Sequence, residues 1–140
     1  MDLNILLERA VELGASDVHL KLGQPPVLRR DGELEPLEGW PALGEADLEI
    51  VLATVTAHVP IRRVAFDDSG DLDLAYTAEG LPRFRVNGFR QRGATSFALR
   101  VIPTDVPSFD RLSLPPGVER LAGEHRGLVL VTGATGSGKT

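Results

Sequence analysis

At 140 residues the chain has room for one domain of ordinary size and too little for two complete ones. Its 42% hydrophobic and 25% charged residues match a soluble globular protein, and no apolar run approaches the ~18 residues of a membrane span. The absence of cysteine excludes disulfides and thiolate metal sites, His19, His58 and His125 lack metal-ligand spacing, and a net charge of −5 argues against nonspecific binding to nucleic acid.

Met1 runs straight into Asp2 and an amphipathic segment, with neither the basic nor the apolar region of a secretory signal, so a cytoplasmic location is expected. Leu3, Leu6, Leu7, Ala10 and Val11 recur at helical spacing between Asp2, an N-cap residue, and Gly14, a terminator. Residues 16–22 then alternate, sending Val18, Leu20 and Leu22 to one face of a strand and Asp17, His19 and Lys21 to the other. Asp17 reads as a capping or turn-fixing residue and His19 as a surface or hydrogen-bonding one. After Gln24-Pro25-Pro26, residues 27–30 and 33–37 flank Asp31-Gly32, a pair favoured in two-residue hairpin turns. A second helix is expected over residues 44–58, closed by Pro60, with residues 67–70 as polar turn material. Residues 71–76 alternate again, with Leu72, Leu74 and Tyr76 inward.

Two longer strands come next, residues 83–91 and 95–102, and they concentrate charge. The chain has 13 arginines and only two lysines, and five of those arginines fall between positions 83 and 100. With Arg92-Gly93 as a two-residue turn, Arg85 lies opposite Arg100 and Arg83 opposite Ile102. Like charges directly opposed cost a sheet stability, which calls for carboxylates or an anion such as phosphate between them. Local acids such as Asp71 and Asp73 would serve as well as a phosphate. Phe84 and Val86 take the opposite parity and pack, while Gly88 marks a bulge or a close approach.

Pro103 ends this run, and Pro107, Pro115 and Pro116 make the next segment a linker, with a short helix over residues 118–123. Residues 127–132 form a continuous apolar run that reads as a buried parallel strand. It feeds Gly133-Ala134-Thr135-Gly136-Ser137-Gly138-Lys139-Thr140, which fits the phosphate-loop pattern G-x-x-x-x-G-K-[ST] at every required position. Glycines there let backbone N–H groups wrap a triphosphate; Lys139 reaches the β- and γ-phosphates and Thr140 holds Mg²⁺. ATP and Mg²⁺ are therefore the expected ligands. The helix that completes such a site lies past the last residue, so the 140 residues alone are expected to be inactive in hydrolysis.

Four stretches in order carry a family resemblance: Gly14 to Leu20, Gln24 to Gly32, the pair Arg83–Asn87 and Phe97–Pro103, and Arg126 into the phosphate loop. Together they resemble the type II/IV secretion ATPases, and within these the pilus retraction ATPases. The resemblance implies an α+β fold: a PAS-like N-terminal domain over residues 1–105, mostly antiparallel sheet with helices on one face. A linker and short helix (106–123) would lead to the first strand and Walker A loop of a RecA-like ATPase domain (124–140). It further implies a hexameric motor that couples ATP hydrolysis to pilus retraction and twitching motility, working on inner-membrane pilus platform proteins from the cytoplasmic side. Arg85 and Arg100 match positions that the family turns toward the nucleotide phosphates, and Arg83 is a weaker third. Pilus extension and type II secretion ATPases are the alternatives, as is a non-catalytic subunit-interaction role for the segment itself.

Overall fold

The computed structural model describes residues 1–103 and 108–133. It divides into two compact units, Met1–Thr104 and Asp105–Thr140. The first is an α+β unit whose six strands, β1 (Asp17–Lys21), β2 (Val27–Arg30), β3 (Glu33–Pro36), β4 (Asp71–Tyr76), β5 (Arg83–Gln91) and β6 (Ala94–Ile102), form one sheet. The order is β3-β2-β1-β6-β5-β4, and every neighbouring pair is antiparallel. Both expected two-residue turns are present, with Asp31 and Gly32 and then Arg92 and Gly93 at positive φ, the geometry that matches the twist of the flanking strands. The one non-local pairing sets the sheet's centre: β1 lies against β6, with Asp17 opposite Arg100 and Leu20 opposite Phe97.

Helix α1 (Leu3–Glu12) starts where the Asp2 carboxylate accepts the backbone N–H groups of Asn4 and Ile5, and it buries Leu3, Leu6, Leu7 and Ala10. Helix α2 (Glu45–Thr56) buries Leu48, Val51, Leu52 and Val55. These meet Val18, Leu20, Leu72, Phe84, Val86, Phe97 and Leu99 of the sheet in one apolar core. The strand residues of opposite parity, Arg83, Arg85, Asn87 and Arg100, stay exposed, so the helices cover one face and leave the other polar. Tyr76 ties the β4 edge to α1 by donating its hydroxyl to Asn4 Oδ1 at 2.6 Å. Gly88 is a close approach and not a bulge, since pairing runs unbroken from Arg83 to Gln91 and a Cβ there would lie 2.9 Å from Phe97 Cε1.

Two expectations are corrected. Pro60 does not merely close α2; it opens a further helix, α3 (Pro60–Ser69), in which the polar residues 67–69 form the last turn. Proline at the first helical position lacks only an N–H that would have gone unpaired, and Gly70 in the left-handed region stops the helix. Phe66 is its buried anchor, while Arg63 binds Asp67 one turn on and Glu49 on α2.

The second unit carries α4 (Pro116–Ala122), close to the short helix read from the sequence. The run at 127–132 is not a buried strand: no residue in it is paired into a sheet, and Leu128 and Leu130 are 82% and 75% exposed. A parallel strand needs flanking strands and covering helices, and among the described residues none pairs with it. Of the phosphate-loop pattern, residues 134–140 lie outside the described residues.

Candidate functional site

The polar face of the sheet is where the chemistry collects. The register read from the sequence holds, with Arg85 opposite Arg100 and Arg83 opposite Ile102. Two like charges are thus set side by side at the centre of a sheet, where they destabilise unless something compensates. Both compensating groups are carboxylates, and they pull the two guanidinium groups in opposite directions.

On one side, Asp73 of β4 takes Arg85 in a two-point grip, Nε to Oδ1 at 3.1 Å and Nη2 to Oδ2 at 2.8 Å. On the other, Asp17 of β1 takes Arg100 through Nε alone, at 2.8 Å to Oδ1. Asp17 Oδ2 accepts the Ser16 hydroxyl at 2.9 Å and faces Arg29 Nε at 3.8 Å, while Arg29 is itself anchored by an Nη1 bond to the Gly32 carbonyl. Arg29, Asp17, Arg100 and Arg85 therefore occupy successive strands along one row of the face.

The environments of the two acids differ. Asp73 is half exposed, and its bond from Arg85 holds its carboxyl below the ordinary value while raising Arg85. Asp17 is buried, which pushes its carboxyl up, but the bonds from Arg100 and Ser16 and the charge of Arg100 outweigh burial and leave it lowered. It stays ionised at neutral pH. His19, one step along β1, has its Nε2 buried without a hydrogen-bond partner. Burial lowers its pKa against the pull of Asp17, with Arg29, Lys21 and Arg100 acting in the same direction as burial, so it sits there as a neutral imidazole.

Despite their ion pairs the two arginine side chains remain open to solvent, Arg100 at 72% and Arg85 at 68%. Between them lies an open cavity of about 210 Å³, lined by Asp17, Arg85, Asn87, Ala98 and Arg100. Arg100 enters it with both terminal nitrogens outside its bond to Asp17, a fork that matches the oxygens of a phosphate or carboxylate. Arg83 shares the face but lies at its end, with no ion pair among the described residues.

The face thus brings together Arg85 and Arg100, as the sequence indicates, and adds Asp17, which the sequence puts on the polar face of its strand but reads as a capping or turn-fixing residue. Its part depends on β1 lying beside β6, a contact between residues 83 positions apart. The usable signal was the parity of β1, which puts Asp17 and His19 on the polar face.

Comparison with known proteins covers this whole region. No family model matches the chain. It is 36% identical over 140 residues to the type IV pilus ATPase PilU of Pseudomonas aeruginosa and 34% identical to the type IV pilus retraction ATPase PilT of the same organism, 100% of this chain in both cases. It spans only 36% and 40% of the length of those two relatives. Among solved structures, that of the pilus retraction motor PilT with bound ADP superposes with a TM-score of 0.82 at 38% identity, over 99% of this chain and 40% of the other. The Legionella pneumophila ATPase DotB gives 0.75 at 29% identity, over 97% and 38%. Over the whole of its 140 residues the chain is thus similar to a part of the PilU and PilT type IV pilus ATPases.

Proposed function

We propose that the chain is the N-terminal portion of a longer pilus motor ATPase, comprising a PAS-like domain, a linker and the entry to a RecA-like ATPase domain. The observation that carries this is the coincidence of a likeness to PilT and PilU along all 140 residues of this chain with a complete G-x-x-x-x-G-K-[ST] pattern at residues 133–140. In this reading Lys139 and the backbone of Gly133, Ala134, Thr135, Gly136, Ser137, Gly138 and Thr140 hold the phosphates of ATP, and Thr140 holds Mg²⁺. Retraction is the preferred direction of work, supported by the fit to the PilT motor at a TM-score of 0.82, and pilus extension is the alternative. Assembly as a hexamer on the cytoplasmic side of the inner membrane, against platform proteins, belongs to the same reading.

The arginine face suits the proposed ligand. A nucleotide brings a chain of phosphates whose negative charge shifts during transfer, and Arg100 and Arg85 supply exposed, preplaced positive charge to meet it. Asn87 adds a neutral amide at the floor of the same cavity, donating to the Leu72 carbonyl at 3.2 Å and keeping its side-chain oxygen as an acceptor. Ionised Asp17 holds Arg100 Nε at 2.8 Å on the rim of that cavity.

The test is turnover by the full-length protein. Mg²⁺-dependent ATP hydrolysis is expected, and Lys139→Ala is expected to lower it at least about 100-fold through loss of charge at the β- and γ-phosphates. The 140-residue chain by itself is expected to hydrolyse ATP at background rate. Turnover by the isolated chain at the rate of the full protein would sink the reading.

A further inference from the structure

The two facing arginines are held in different ways, and the difference is chemical. Asp73 occupies both Nε and Nη2 of Arg85, so that guanidinium offers an incoming anion only what its acid leaves over. Asp17 occupies Nε of Arg100 and nothing else, so both terminal nitrogens of Arg100 remain as a planar two-point donor. The acids differ as well: Asp17 is buried and fixed by Ser16 and Arg29, whereas Asp73 lies half exposed on the β4 edge strand. An exposed ion pair exchanges one anion for another at little cost, while a buried carboxylate with its other oxygen already committed does not let go easily.

We infer that Asp17 is a positioning residue that presents Arg100 as the first phosphate-binding arginine, and that Asp73 is a competing anion which withholds Arg85 until a phosphate displaces it. This rests on the proposed phosphate-facing role of the hairpin and goes beyond it by making the two arginines unequal. It leads to a result that net charge alone does not give. Removing either acid removes one negative charge beside the site, and simple electrostatics makes both changes favour anions. With Asp17 as a positioner, the two substitutions act with opposite sign.

The experiment uses the ¹⁵N-labelled 140-residue chain, with the arginine side-chain N–H signals of positions 85 and 100 tracked while sodium tripolyphosphate is added without metal. Asp17→Asn is expected to weaken binding about fivefold, because the neutral amide replaces the charge-assisted bond that aims Arg100, and Asp73→Asn is expected to strengthen it about threefold, because an amide keeps one neutral acceptor where the carboxylate gripped the Arg85 fork with two charged ones. The backbone amide spectrum reports whether each variant is folded. If Asp17→Asn does not fold, Arg100→Lys decides the matter: its ammonium sits on Asp17 with no fork left over, so its affinity is expected to match that of Arg100→Ala. Equal or tighter binding by a folded Asp17→Asn, weaker binding by Asp73→Asn, or wild-type affinity in Arg100→Lys overturns the inequality while leaving the phosphate-facing hairpin in place. If tripolyphosphate moves neither arginine signal in the wild type, the hairpin's phosphate role falls and the inference falls with it.

Discussion

Replacing Arg100 by alanine in the full-length motor is expected to lower kcat at saturating ATP by about 10²–10³-fold, the usual cost of removing one preplaced charge from a phosphoryl-transfer transition state. The size reflects what the side chain is free to do. It is 72% exposed and holds only one of its nitrogens to Asp17, so its contribution to the fold is small beside its capacity to bind an anion. Arg83→Ala is the control on the same face. With no ion pair among the described residues and Ile102 opposite it, Arg83 stands clear of the Arg85–Arg100 cavity, and its loss is expected to change kcat by less than about threefold. Steady-state kcat and KM, measured beside a thermal melt, separate the outcomes. A rise in KM with kcat intact would mean that Arg100 binds ground state and transition state alike.

The largest expected effect on folding is at the other face of the same strand. Phe97→Ala is expected to cost about 3–5 kcal/mol, a large part of the ~5–15 kcal/mol that holds a domain of this size together. Phe97 is 1% exposed on β6, between β1 and β5, and its ring fills the space that Gly88 leaves by having no side chain. The neighbour that would have to collapse into the cavity therefore has nothing to move in, which places this site toward the upper end of large-to-small costs. Urea unfolding of the 140-residue chain measures it. Leu34→Ala, at a side chain 54% exposed on the edge strand β3, is expected to change stability by no more than about 0.5 kcal/mol.

The features legible in the sequence were local ones. The β5–β6 pairing could be read from a two-residue turn at Arg92-Gly93, because a turn of known length fixes every partner up the hairpin, Arg85 and Arg100 included. Asp73 was within reach of the same logic, since the next strand, β4, pairs with β5. Asp17 was not, because its contact with Arg100 depends on the non-local β1–β6 pairing. Helix α3 was hidden by Pro60, because a proline can end one helix or start the next, and only the residues after it tell the two apart. There the polar residues at 67–69 masked a helix anchored by one buried residue, Phe66, and by Arg63 reaching to Glu49. The apolar run at 127–132 misled in the opposite way: hydrophobicity and β-branching describe a residue set suited to a sheet interior, but strand formation requires neighbours to pair with.

In a structure of the full-length protein with a non-hydrolysable ATP analogue and Mg²⁺, the terminal nitrogens of Arg100 are expected to lie about 2.7–3.2 Å from a phosphate oxygen while Nε still donates to Asp17. A bound nucleotide with Arg85 and Arg100 both left in solvent, paired only to Asp73 and Asp17, would contradict the assignment of the polar sheet face to phosphate.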